Sequence, residues 1–119
     1  MKELSEDELW GLIEKANWSL DHDYRRIEDE FQSLDLDVAK QLHRFMEEKQ
    51  GEICSQYEED WLGEPGIDVS DDGWSDLTSE VVGRGKKFHE NIDVKQLQSM
   101  AINNNYFENF GYSFHFLYD

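Results

Sequence analysis

The segment Leu20-Asp21-His22-Asp23-Tyr24-Arg25-Arg26-Ile27-Glu28-Asp29-Glu30-Phe31-Gln32-Ser33-Leu34 decides the fold class. Leu20, Tyr24, Ile27, Phe31 and Leu34 recur at steps of four, three, four and three, the spacing of one apolar helix face. Asp21, Asp23, Arg25, Glu28, Asp29 and Glu30 fill the positions between and suit the face turned to water.

The same period extends in both directions. Ser5-Glu6-Asp7-Glu8 has the form of a capping box, and Leu9, Leu12, Ile13 and Ala16 follow at helical spacing, so a helix is predicted over 5–16. Leu4 precedes the cap and is placed to staple Leu9. Downstream, Asp35 or Asp37 can cap a third helix that turns Val38, Leu42, Phe45 and Met46 inward. Gly51 is expected to end it, and Ile53, Tyr57 and Trp61 to mark a fourth. Gly63-Glu64-Pro65-Gly66 holds the only proline and reads as a loop. Trp74, Leu77, Val81 and Val82 give a fifth helix that should end at Gly83 and Gly85. Phe88 and Ile92 fit a short helix, and Asp93 can cap another carrying Val94, Leu97, Met100 and Ala101.

Asn103-Asn104-Asn105 breaks the pattern. Beyond it Phe110, Tyr112, Phe114, Phe116 and Tyr118 alternate strictly, which is strand spacing. A lone strand finds no partner in a helical chain, so an extended aromatic tail is the other reading. The expected architecture is mainly α: one domain over 1–119, a bundle of about five to seven short helices over 1–104, and an aromatic tail over 105–119 that is extended or a strand.

Composition supports a packed domain that binds something. The chain has 119 residues, among them 4 Trp, 5 Tyr and 7 Phe, enough for a core at this size. Acidic residues number 28 against 11 basic ones, a formal net charge of −17. That sign opposes direct contact with nucleic acid or an anionic membrane and favours a basic partner. It also serves solubility alone. Cys54 stands alone, so no disulfide framework exists, and no apolar run approaches the ~20 residues of a membrane span. A cytoplasmic protein, monomeric when free, is the expectation.

No catalytic set or cofactor motif emerges. Glu47-Glu48 and Glu58-Glu59-Asp60 read as solvated helix faces. His22, His43, His89 and His115 lack metal-ligand spacing and read as edge or surface residues, and Cys54 as a buried structural thiol. Asp68, Ser70, Asp72 and Asp76 match positions one, three, five and nine of a calcium loop with Gly73 at six. Position twelve is Ser79 where a bidentate Glu is required, and Glu80 comes one residue late. The simpler reading is that Ser70 or Asp71 caps the helix carrying Trp74. Gly83-Arg84-Gly85-Lys86-Lys87 follows a helix and places cations at its C-terminus.

Ser70-Asp71-Asp72-Gly73-Trp74, followed by Asp76-Leu77, Val81-Val82 and Gly85-Lys86, resembles the central motif of the domain of unknown function 4240 family. Trp10, Leu12-Ile13-Glu14 and Ala16 are similar to its first helix. The resemblance covers roughly residues 5–100 and implies a helical bacterial domain without a known reaction. The chain differs at Val69, where that family usually has Cys, and at Glu80, where it often has Trp. By type it is also similar to small acidic immunity proteins.

The leading functional expectation is an immunity-type protein that occludes the basic surface of a nuclease-type toxin. The patch expected to meet the toxin is Glu58, Glu59, Asp60, Trp61, Asp68, Asp71, Asp72 and Trp74, where acids, aromatics and the loop converge. The alternatives are a nucleic-acid mimic that inhibits a DNA-binding protein, and a regulatory domain without a toxin partner.

Overall fold

The structure, a computed structural model, describes residues 3–62, 71–102 and 110–117, with the side chains of 56–62, 71–74, 94, 98, 101 and 102 left aside. Its first helix, α1, spans Glu6–Ala16 behind the capping box. The Ser5 hydroxyl accepts the Glu8 N–H at 3.2 Å, and the Glu8 carboxylate accepts the Ser5 N–H at 3.2 Å. Asn17 ends α1 in the left-handed region at φ 53°, which asparagine tolerates better than most residues. Leu9, Trp10, Ile13 and Ala16 are buried, and Leu4 and Leu12 pack against them half-buried.

A 3₁₀ turn, Trp18–Leu20, leads into α2, Tyr24–Gln32, whose N-cap Asp23 accepts the Arg25 N–H. Ile27 and Phe31 are fully buried, as the opening stripe requires. Leu20 departs from it: it lies in the turn, outside α2, and is 69% exposed, so the stripe's first step of four was not a helical step. Arg26 explains the sharp entry into α2. Its guanidinium donates to the Ala16 and Asn17 carbonyls at the end of α1, at 2.9 and 3.0 Å, and to both oxygens of Asp21. The hydrogen bond from Arg26, then that from the Asp23 backbone, hold the Asp21 carboxyl below its usual range.

Asp35 caps the next helix by accepting the Asp37 N–H at 3.1 Å. This helix, α3, runs unbroken over Leu36–Leu62, 27 residues, where two shorter helices were expected. Gly51 does not end it. A single glycine costs a helix only about 1 kcal/mol against alanine, and the turns on both sides carry α3 through. At ~1.5 Å per residue α3 is about 40 Å long, too long for the 25 and 24 Å widths of the molecule, so it runs along the 47 Å dimension. Ala39, Leu42, Phe45, Met46 and Ile53 form its buried stripe.

The helix α4 spans Asp71–Gly83, α5 Lys86–Asn91 and α6 Val94–Ile102. Asp93 accepts the Gln96 N–H at 2.8 Å, the expected cap. Leu77, Val81, Val82, Leu97 and Met100 join the core. The loop expected at Gly63–Gly66 and the break at Asn103–Asn105 lie outside the described residues.

The tail corrects the strand and extended readings: Phe110–Leu117 is a 3₁₀ helix, and no described residue forms a strand. Burial follows Phe110, Ser113 and Phe114, at helical steps, while Tyr112 is 40% exposed. The Ser113 hydroxyl is buried because it donates to the Phe110 carbonyl at 2.7 Å. Phe114 stacks on Phe31 with centroids 5.0 Å apart, and Phe110 meets Trp18 edge-on at 5.4 Å. The Phe110 N–H donates to the Ser79 hydroxyl of α4 at 3.2 Å. The chain is thus mainly α, with the core shared by α1 to α4, α6 and the C-terminal 3₁₀ helix.

Phe114→Ala should destabilise the fold by about 3–5 kcal/mol, the usual cost of emptying a buried phenylalanine site. Tyr112→Ala should cost about 1 kcal/mol or less, as an exposed position does. Urea denaturation of the two variants checks this, because a strand would put both rings on one face and make the losses similar.

Candidate functional site

Three helices enclose a groove of about 960 Å³. The first half of α1 contributes Glu6 and Trp10, and the middle of α3 contributes Glu48, Lys49, Gly51, Glu52 and Ile53. The end of α5 contributes His89 and Glu90, followed by Ile92. Trp10, Ile53 and Ile92 are buried and make an apolar floor. Four carboxylates, Glu6, Glu48, Glu52 and Glu90, line it against the single ammonium of Lys49.

Lys49 is the best-held side chain there. It is 11% exposed, and its ammonium donates to Glu52 at 3.1 Å and to Glu6 at 3.4 Å. The charge also lies 5.2 Å from the centre of the Phe45 ring. Burial works against the charged ammonium, but the hydrogen bond and charge of Glu52, with those of Glu6, outweigh it and raise its pKa. The His89 Nε2 lies 3.2 Å from the Lys49 carbonyl. A carbonyl only accepts, so this contact places the proton on Nε2. The same nitrogen is 3.6 Å from Glu52, and the ring tilts over Trp10 at 5.4 Å.

A second polar cluster centres on Glu80 of α4, which is 1% exposed. The Trp18 indole N–H donates to it at 2.9 Å and the Arg84 Nε–H at 2.7 Å, while His22 Nε2 lies 3.2 Å away. Gly83 makes this possible, since a Cβ there would stand 2.7 Å from Trp18 Cδ1. His22 reaches it from a left-handed backbone, φ 53°. These donors meet a buried carboxylate on its two oxygens, which is the arrangement of a structural clamp. A third histidine, His43 on α3, sits 5.0 Å from the Phe114 ring and 3.2 Å from Glu47. Burial lowers its pKa more than the Glu47 charge raises it.

The residues expected to meet a partner divide differently. Glu58, Glu59, Asp60 and Trp61 fall on the last turns of α3, and Asp71, Asp72 and Trp74 on the first turns of α4. Their side chains, and Asp68 altogether, lie outside the described residues, as does Ser70. Asp72 and Asp76 share α4, and Gly73 between them has helical backbone where a calcium loop needs a bend. Among the described residues no three His, Cys, Asp or Glu side chains converge as around a metal ion, and no helix is long and apolar enough to cross a membrane. Cys54 is half-buried, short of the full burial expected. His22, His43 and His89 are half-buried and in contact with Glu80, Glu47 and Glu52 respectively, and His115 is exposed.

Sequence reasoning missed Lys49 and Glu80. Glu80 carried a signal: it stands three residues after Leu77 and beside Val81, on the inward face of its helix. Lys49 follows Glu47-Glu48, and Glu52 one turn on marked it as an ion-paired position. Comparison of the chain with protein-family models, with curated proteins and with solved structures gives no match.

Glu80→Ala should cost about 3–5 kcal/mol by stranding the groups that the carboxylate holds. Gly83→Ala should cost about 1–3 kcal/mol by pushing on Trp18. Both are read as shifts in denaturation midpoint, with Trp18 fluorescence altered at Gly83→Ala. For His43, the folded state lowers the pKa from 6.5, so the folded protein binds fewer protons than the unfolded chain near that pH. Its contribution is complete above pH 6.5 and is lost as pH falls below that value. His43→Gln should flatten the stability curve measured between pH 7 and 5.

Proposed function

We propose that this protein is an acidic binding protein of the immunity type, which neutralises a basic, nuclease-type toxin by covering its substrate-binding cations. The observation that carries the reading is the formal net charge of −17 on a small helical scaffold. Acids such as Glu3, Glu8, Asp29, Asp35, Asp37 and Glu47 are exposed. Meanwhile Arg26, Lys49, Arg84 and Lys86 are taken up in ion pairs within the chain. The surface that meets a partner therefore carries a strong negative field, which speeds encounter with a basic protein and repels nucleic acid. Glu58, Glu59, Asp60, Asp68, Asp71 and Asp72, with Trp61 and Trp74, belong to this proposal as one contact region. The type resemblance to immunity proteins agrees with it.

The test is mixing with the purified product of the adjacent upstream gene. The reading expects a stable complex on size exclusion and loss of any nuclease activity of that product. It also expects an association rate that falls by about tenfold or more between low and high salt. A neighbouring product that is neither basic nor bound overturns it.

A further inference from the structure

Gly51 is a residue the fold does not need. It lies in the middle of α3, where glycine is among the poorest helix formers. Its position is exposed, and a Cβ added there would meet nothing within 4 Å. In this Gly51 differs from Gly83, which Trp18 requires, and from Gly85, whose φ of +107° suits glycine. Gly11 in α1 is open in the same way, but Gly51 alone of the two lines the groove, and it adds no side chain there.

The groove shows the chemistry it accepts through Lys49, whose ammonium sits between Glu52 and Glu6 beside the Phe45 ring. With Lys86 standing 4.0 Å from Glu90, the four carboxylates that line the groove, Glu48 and Glu90 among them, face two ammoniums, and the groove stays net negative. Glu52 and Glu90 are 53% and 58% exposed, so both remain accessible to an incoming group. Trp10, Ile53 and Ile92 back the groove from the core, at 3%, 2% and 6% exposure.

We propose that this groove seats an arginine or lysine side chain of a basic protein partner, with Gly51 placing no side chain in its way and the carboxylates of Glu48, Glu52 and Glu90 meeting its charge. The proposal rests on the reading of the chain as an acidic binding protein and names the anchor of that contact. An anionic ligand does not fit, because Lys49 is already satisfied and the remaining charge is negative. A basic side chain held by several carboxylates in a groove is the kind of anchor around which a protein contact is built.

The experiment titrates the isotope-labelled chain with a tetra-arginine amide peptide and follows amide and indole NMR signals. The comparison uses Gly51→Ala, whose methyl leaves the groove open, and Gly51→Met, whose unbranched chain fills it. Both variants should fold, with Gly51→Ala melting above the parent. For the parent and Gly51→Ala, shifts should concentrate on residues 48–55, residues 89–92 and the Trp10 indole. Gly51→Met should weaken the peptide about tenfold or more while leaving the net charge unchanged. Shifts scattered over the acidic surface, or equal affinity for Gly51→Met, overturn the proposal. The two readings fail separately. A toxin-like partner that binds Gly51→Met as well as the parent removes the groove and keeps the function. A peptide seated in the groove of a chain that binds no basic protein does the reverse.

Discussion

A carboxylate buried to 1% exposure has to be met by donors from more than one element, and Glu80 organises the molecule around that need. Left alone, its charge would cost several kcal/mol. Trp18 and His22 reach it from the connection after α1, and Arg84 from just beyond α4. The connection is thereby fixed against α4, and the Trp18 ring is laid on Gly83. From that fixed corner Arg26 turns the chain into α2 by binding the carbonyls at the end of α1. Phe31 of α2 then meets Phe110 and Phe114.

The groove depends on the same frame. Gly85 bends the chain after α4, and α5 returns to α1, where Glu14 accepts the Lys86 N–H and Asp7 binds the Lys86 ammonium. Those contacts hold His89 and Glu90 opposite the middle of α3. The first turn of α1 thus has two uses for its acids. They favour the positive end of the helix dipole, and they bind cations from other elements.

Much of this was legible because helix caps and apolar spacing are local. Ser5, Asp35 and Asp93 cap where their neighbours suggested, whereas Asp23, read as part of the outer face of a helix starting at Leu20, is the N-cap of α2. What misled was composition read as position. Gly51 looked like a stop, but its cost is small against the packing of a long helix. The tail has so many aromatics that a period of two and a helical period both fit it. Ser113 broke the tie, and its burial depends on a hydrogen bond that no sequence period reveals. The groove was invisible for another reason: Glu6, Lys49 and His89 are far apart in the chain, and only the return of α5 brings them together.

The C-terminal 3₁₀ helix has a consequence for how the chain acquires its structure. Phe110 and Phe114 are fully buried, and they fill space between rings and methyl groups supplied mostly by residues made long before them. Until residue 114 has been synthesised, Trp18 and Phe31 lack those faces, and the Ser79 hydroxyl lacks the N–H that it accepts. The early helices can form from local contacts, but their shared core stays open to water during translation. Closure of that core therefore waits for residues 110–114 to join the helices made before them.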